Sequence, residues 1–404
     1  MSKSIFLLGA YDRFNYGDLL FPIIVEAVLR QHSAQAFECV SYALVESDLS
    51  EYGAQKTRPM SELFAPGCVD DDSVVIVAGG GVVGASWTSM RRNLSKSRLE
   101  GKLLSFLGRR LGERRLNPIF QRRFGSNSAW PWVVAREDFS PAQTVIYNGV
   151  GGSFLGRLSA PVREGIIDKL DHSDFLSVRD GETKRILEGI DSNDRVRLVP
   201  DSAVVMSQLF PLEALRAKVC GQVRSYLERD RPYLCFQMAV DHEVDRYPEI
   251  ARALDEIAQK HDLAIVLLPI GRAQGHEDHT TLRRVSQFIR GDFYQPHDDI
   301  GLYDIMALIA GASLFVGTSL HGAVTSQSFA VPHLGMAGIG KLKCYLDTWE
   351  IAPQRELVQV DELVARADQV LALPKAELEA NRDRLIALAM DNFTRIAEVA
   401  GLRS

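Results

Sequence analysis

Short runs of apolar residues alternate along this chain with longer stretches in which apolar residues recur every three to four positions. The first pattern belongs to strands buried on both faces, the second to amphipathic helices. Residues 5–9, 74–77, 144–147, 175–178 and 196–199 predict strands, and helical spacing follows over 19–29 and 181–187. A second series begins after an amphipathic helix expected over 212–227. Strands are expected at 233–237, 263–268 and 313–316, with helices over 250–260, 282–289, 303–309 and from Gly322 to 329. The tail from 356 to 400 reads as helical.

Several of these strands end in glycine, as in Gly79-Gly80-Gly81, Gly149-Val150-Gly151-Gly152 and Gly317. A strand–glycine–helix rhythm indicates a doubly wound parallel sheet, and two such series indicate an α/β protein with two Rossmann-like domains facing a cleft. The expected division is 1–210, with an insert at 88–130, then 211–375, then a C-terminal helix at 376–404. In such sheets ligands bind beyond the carboxyl ends of the strands, and every motif below lies at such an end.

The length of 404 residues suits two domains, and 46% hydrophobic with 24% charged residues excludes a disordered or fibrous chain. A net charge of −6 argues against nucleic acid as the partner of the whole chain. No uninterrupted run of 18 apolar residues occurs, and the N-terminal run is too short for a secretory segment. Cys39, Cys68, Cys220, Cys235 and Cys344 show no metal spacing and read as reduced thiols of a cytoplasmic protein.

Asn15, Gly17 and Asp18 follow the first strand, where they could bind hydroxyls, or Asp18 could simply cap the helix. Gly80, Gly81 and Gly151 would let backbone approach a ligand. Neither glycine run is a dinucleotide fingerprint or a P-loop. Arg179, at the tip of a strand, offers a fork for a carboxylate or phosphate; the plain alternative is a structural pairing with Asp180. The sharpest site is Thr318-Ser319-Leu320-His321-Gly322, which sets an imidazole in a strand-to-helix turn where anions bind. His276 and His279 stand i,i+3 apart, not as HExxH, and no metal site is expected. Lys341 could hold an anion.

Taken in order, Asn15 to Asp18, Gly79 to Gly81, Ser177-Val178-Arg179-Asp180, Asp201 and Leu320-His321-Gly322 give a chain that resembles the polysaccharide pyruvyl transferase family over about residues 5–346. The resemblance implies a glycosyltransferase-B-like architecture. It implies a reaction in which phosphoenolpyruvate delivers its pyruvyl unit to two hydroxyls of a sugar as a ketal, in surface polysaccharide biosynthesis, with no further cofactor. Arg179, Leu320 and His321 match the positions implicated in transfer. Many members carry arginine two residues before that histidine; Ser319 stands there in this chain. His321, Arg179 and Asp18 are the expected catalytic residues. Arg179, Ser319, Leu320, His321, Gly322 and Lys341 are expected on the donor, in the second domain apart from Arg179. Asn15, Gly17, Asp18, Gly80, Gly81 and Gly151 are expected on a lipid-linked or nucleotide-linked sugar acceptor. The alternatives are a nucleotide-sugar-dependent glycosyltransferase of the same architecture and a non-catalytic glycan-binding protein.

The average charge conceals a segment. Residues 91–123 hold eleven Arg and Lys against two Glu, a net of +9, so the rest of the chain carries −15. Interleaved Leu99, Leu103, Leu104, Phe106, Leu107 and Leu111 make it basic and amphipathic. It reads as a peripheral contact with the inner face of an anionic membrane, as a grip on an acidic, lipid-linked glycan, or as a solvated insert, including one that joins copies of the chain in a homo-oligomer.

Overall fold

The computed structural model describes residues 3–70, 72–95, 97–139, 143–189, 195–273, 275 and 277–403. The chain forms two compact α/β units. The first takes residues 1–50, 54–202 and 388–404; the second takes 51–53 and 203–387. The division therefore falls at 202/203 rather than 210. The 25-residue helix Lys375–Val399 is not a separate element, because its two ends belong to different units.

The first unit holds a seven-stranded parallel sheet. Its strands are β1 (Lys3–Leu8), β2 (Phe37–Ala43), β3 (Arg58–Pro59), β4 (Ser73–Ala78), β5 (Thr144–Val150), β6 (Phe175–Val178) and β7 (Val196–Leu198). They lie in the order β3-β2-β1-β4-β5-β6-β7. All six residues of β4 are buried, as a strand covered on both faces requires. Phe6, Leu8, Val75, Val77, Val145 and Tyr147 anchor the core, together with Trp87 and Trp132 from the segment between β4 and β5. The C-terminal residues are part of this unit. Phe393 and Ile396 are fully buried, and Asn392 Nδ2 donates to Asn148 Oδ1 at 2.9 Å.

The second unit holds β8 (Tyr233–Gln237), β9 (Ala264–Leu267), β10 (Phe293–Tyr294), β11 (Leu314–Gly317) and β12 (His333–Gly335). They are parallel, in the order β10-β9-β8-β11-β12. Both sheets reverse their winding once, between β1 and β4 in the first and between β8 and β11 in the second. A crevice opens beyond the strand ends at each reversal, and side chains of the loops gather there.

The elements follow the apolar pattern in the main, and the tail expected as helical over 356–400 holds two helices, Leu363–Leu371 and Lys375–Val399; other differences have local causes. The helix expected over 212–227 is two helices, Leu212–Lys218 and Gly221–Leu227. Val219 is extended between them, and the Cys220 N–H donates to Asp304 Oδ1 at 2.7 Å, which holds the break. The helix expected from Gly322 begins at Leu320, capped by Ser319. Four short or polar strands, β2, β3, β10 and β12, join the sheets beyond those anticipated.

The turn after β4 carries the tightest backbone constraint near the first crevice. Gly79 and Gly80 both have φ of +72°, and a side chain on Gly79 would collide with the Phe21 ring. Gly79→Ala should cost about 2–4 kcal/mol, seen as a lowered urea midpoint. An unchanged midpoint would mean that the turn relaxes without strain.

Candidate active site

In the first unit, the loops after β1 and β4 flank the winding reversal. Asn15 precedes the helix Tyr16–His32, yet its side chain makes no cap; its Nδ2 donates instead to Asp18 Oδ2 at 2.8 Å. Asp18 therefore does not cap the helix. A Cβ on Gly80 would stand 3.1 Å from Asp18 Oδ1, so the carboxylate lies against the glycine turn. Gly17 is buried in the first turn of the helix.

Arg179 also approaches that turn. This residue follows β6, is 3% exposed, and donates from Nη1 to Asp201 Oδ2 at 2.7 Å, while Asp201 is fully buried. A buried guanidinium needs such a partner, since an unpaired charge in the interior is strongly destabilising. Asp180 caps the helix Gly181–Ile186, accepting from the Thr183 N–H at 2.8 Å. Glycines make room for the arginine. A Cβ on Gly151 would approach Arg179 Nε to 2.8 Å, and one on Gly81 would stand 4.0 Å from Nη2. The Gly151 N–H donates to the Gly80 carbonyl at 2.9 Å, tying the β4 and β5 loops together. Asp18 thus approaches Gly80 and Arg179 approaches Gly81, a carboxylate and a guanidinium beside one backbone turn.

In the second unit, a polar relay fills the end of the sheet. The register sets Gly317 of β11 opposite Gln237 of β8. Gln237 Oε1 accepts from the Thr318 N–H at 3.0 Å and from Thr318 Oγ1 at 3.2 Å. Gln237 Nε2 donates to Asp278 Oδ2 at 2.9 Å, and the same oxygen accepts from the N–H groups of Ile270 and Gly271 at 3.1 and 3.0 Å. Thr318 Oγ1 accepts from the Ala239 N–H at 2.8 Å. Burial pushes the Asp278 carboxyl up to about 6; its hydrogen bonds and the positive charge of Lys341 pull the other way.

This relay fixes the loop that leads to His321. Ser319 Oγ accepts from the Gly322 N–H at 3.1 Å, so the serine and Gly322 satisfy each other as a cap. His321 therefore lies within the first helical turn, at the positive end of the helix dipole, and is 7% exposed. Gly322 lacks a side chain because the Phe315 ring occupies its place. Leu320 is 1% exposed. Lys341 lies in the first turn of the helix Gly340–Trp349. His242 packs against Gly338, 3.0 Å from where a Cβ would be, and its Nε2 has no hydrogen-bond partner among the described residues. Burial lowers its pKa.

The predicted residues thus gather as two sets, one per unit. Asn15, Asp18, Gly80, Gly81, Gly151 and Arg179 belong to the first, and Ser319, Leu320, His321, Gly322 and Lys341 to the second. Gln237 and His242 were not anticipated. A polar residue ending an otherwise apolar strand was the available signal for Gln237. His276 lies outside the described residues. Among the described residues no group of three His, Cys, Asp or Glu is placed to hold a metal. No described helix is long and apolar enough to cross a membrane.

No curated protein sequence matches the chain. Among solved structures, it is similar to UDP-GlcNAc 2-epimerase from Methanocaldococcus jannaschii in complex with UDP-GlcNAc and UDP. That match has a TM-score of 0.54 and 14% identity, covering 93% of this chain and 94% of that one. It is also similar to UDP-GlcNAc 2-epimerase from Neisseria meningitidis, with a TM-score of 0.53, 12% identity and 99% of each chain. A UDP-forming α,α-trehalose-phosphate synthase from Burkholderia xenovorans in complex with glucose-6-phosphate matches with a TM-score of 0.54 and 11% identity, over 99% of this chain and 100% of that one. At these identities the likeness shows the fold, which is of the glycosyltransferase-B type. The family model for polysaccharide pyruvyl transferase matches residues 15–338, a span that holds every motif residue above except Lys341. With that match over most of its length, the chain belongs to the polysaccharide pyruvyl transferase family.

Proposed function

We propose that this protein transfers the pyruvyl unit of phosphoenolpyruvate to two hydroxyls of one sugar, forming a ketal and releasing phosphate. The observation that carries the reading is the family match, together with a buried histidine in the first turn of the helix Leu320–Ser328. A proton added to the vinyl CH2 makes it a methyl group and leaves an oxocarbenium-like centre at C2. One sugar hydroxyl adds there and loses its proton. The C2–O bond to phosphate breaks, phosphate departs, and the second hydroxyl closes the ring, losing its proton in turn. One hydroxyl proton balances the proton added to CH2, and the other leaves with the phosphate.

His321 is the residue proposed to deliver the proton to the vinyl carbon, or to stabilise the departing phosphate. The dipole of its helix favours the donor's negative charge. Ser319 is engaged as the helix cap, so Lys341 is the cation proposed to stand in on that unit. Arg179, held by Asp201, is proposed to grip the donor's carboxylate or phosphate. Asn15 and Asp18 are proposed for the acceptor hydroxyls, with Asp18 as base. Gln237 and Asp278 are positioning residues, acting on His321 through Thr318.

Release of phosphate from phosphoenolpyruvate across a panel of lipid- and nucleotide-linked sugars tests the reading. Consumption of a nucleotide sugar with no release from phosphoenolpyruvate would replace it with glycosyl transfer. His321→Ala should lower turnover by about 10²–10⁴-fold without lowering the melting temperature. Near-normal turnover would remove the histidine from the chemistry. Arg179→Lys should raise the donor KM or abolish turnover, because the planar fork is lost. An unchanged rate and KM would count against its role.

Asp278 predicts a pH effect on stability. Its folded pKa of about 6 lies above the ordinary value of about 3.9, so folding takes up a proton between those limits. The stability it contributes is fully present below about pH 4 and lost as pH rises through 6. Asp278→Asn should flatten the dependence of the denaturation midpoint on pH across that window. An unaltered profile would show that the carboxyl titrates normally.

A further inference from the structure

The segment between β4 and β5 includes, after the short helix Trp87–Asn93, two consecutive helices, Arg98–Leu111 and Glu113–Arg123, joined at Gly112 with φ of +78°. One face of each belongs to the fold. Gly101, Leu104 and Leu116 are buried, the Thr88 side chain lies near Gly108, and the Thr88 N–H and hydroxyl both donate to Asn117 Oδ1 at 2.9 and 2.8 Å. Trp87 stacks on Phe124, with ring centroids 5.7 Å apart. The hairpin is therefore fixed to the unit rather than loosely appended.

The opposite face is apolar where a solvated surface would be polar. Leu99, Leu103 and Phe106 are 79%, 57% and 55% exposed. Their spacing of four and three residues stacks them in one stripe, directly opposite the buried Gly101 and Leu104 and the half-buried Gly108. On the second helix Ile119 is 59% exposed. Lys102, Arg109 and Arg110 border the first stripe, and Arg115, Arg122 and Arg123 border Ile119; all six are exposed. Apolar side chains rimmed by arginine and lysine match the boundary between headgroups and acyl chains of an anionic bilayer, where the cations meet phosphate and the hydrocarbon leaves water.

We infer that this hairpin is a peripheral membrane-docking surface that lies on an anionic leaflet. Charge decides the occupant. A symmetric contact with the same face of a second copy would set two strongly basic surfaces together, whereas an anionic leaflet supplies the complementary charge. The inference concerns where the protein resides and stands whichever donor and acceptor the active site uses.

Co-sedimentation of the full-length protein with phosphatidylcholine vesicles, with and without about 30% phosphatidylserine, tests it. Binding to the anionic vesicles alone is expected, and it should weaken steeply with added salt. The substituted residues are exposed, so the variants should fold, which circular dichroism and the melting temperature check. L99S/L103S/F106S/I119S should lower partition at least tenfold. R109E/R110E/R115E/R122E should lower it further, at about fivefold per basic residue lost. Phosphate release from phosphoenolpyruvate with a soluble acceptor should be unchanged in both variants, which separates this surface from the chemistry. Equal partition of wild type and variants, or no binding to anionic vesicles, would overturn the inference. So would a concentration-dependent oligomer in wild type that both variants lose while vesicle binding stays absent.

Discussion

A parallel sheet covered by helices on both faces leaves only its strand ends to polar side chains, and this constraint organises the protein. Strands such as β4, with every residue buried, offer no place for a charge along their length. Buried polar side chains are therefore displaced to the carboxyl ends, and they gather where each sheet reverses its winding. Asp18 and Gly80 flank the reversal in the first sheet, and Gln237 and Thr318 flank it in the second. The two units thus solve the same problem in the same way with different residues.

What collects at those ends must satisfy its own hydrogen bonds, because it is also buried. Arg179 is tolerable at 3% exposure because Asp201 neutralises it and Gly151 makes room for it. Asp278 shows the opposite balance: three donors converge on Oδ2, yet burial still raises its pKa. Such groups are held in place before any ligand arrives, which is the condition for electrostatic help in a transition state. The supporting residues are fixed by partners far apart in the chain, Arg179 by Asp201 and Thr318 by Gln237.

That separation also explains what sequence could and could not reveal. The strands β4, β5, β6 and β8 were legible, because each is built on a short apolar run bounded by polar residues or glycine, as a strand buried on both faces requires. The strand β2 was hidden by Glu38 and Ser41, and β3 and β10 by being two residues long. The break at Val219 depends on a bond from Cys220 to Asp304, 84 residues away, so helical periodicity ran straight through it. Arg179 and His321 were visible as polar residues at strand ends, with glycines and a cap beside them. Their partners were not, since neither the Arg179–Asp201 pair nor the Gln237–Asp278 relay has a local pattern. The cap that Ser319 supplies was also not anticipated: its hydroxyl accepts from the Gly322 N–H.

The central claim is that the reaction joins a pyruvyl carbon to two sugar oxygens. The most direct measurement follows phosphoenolpyruvate labelled with ¹³C at C2 by NMR, in the presence of protein and acceptor. The account predicts that the labelled vinyl carbon becomes a ketal carbon coupled to a new methyl group, with one phosphate released per ketal. Label that stays in phosphoenolpyruvate while a nucleotide sugar is consumed, or that appears only as free pyruvate, would contradict it.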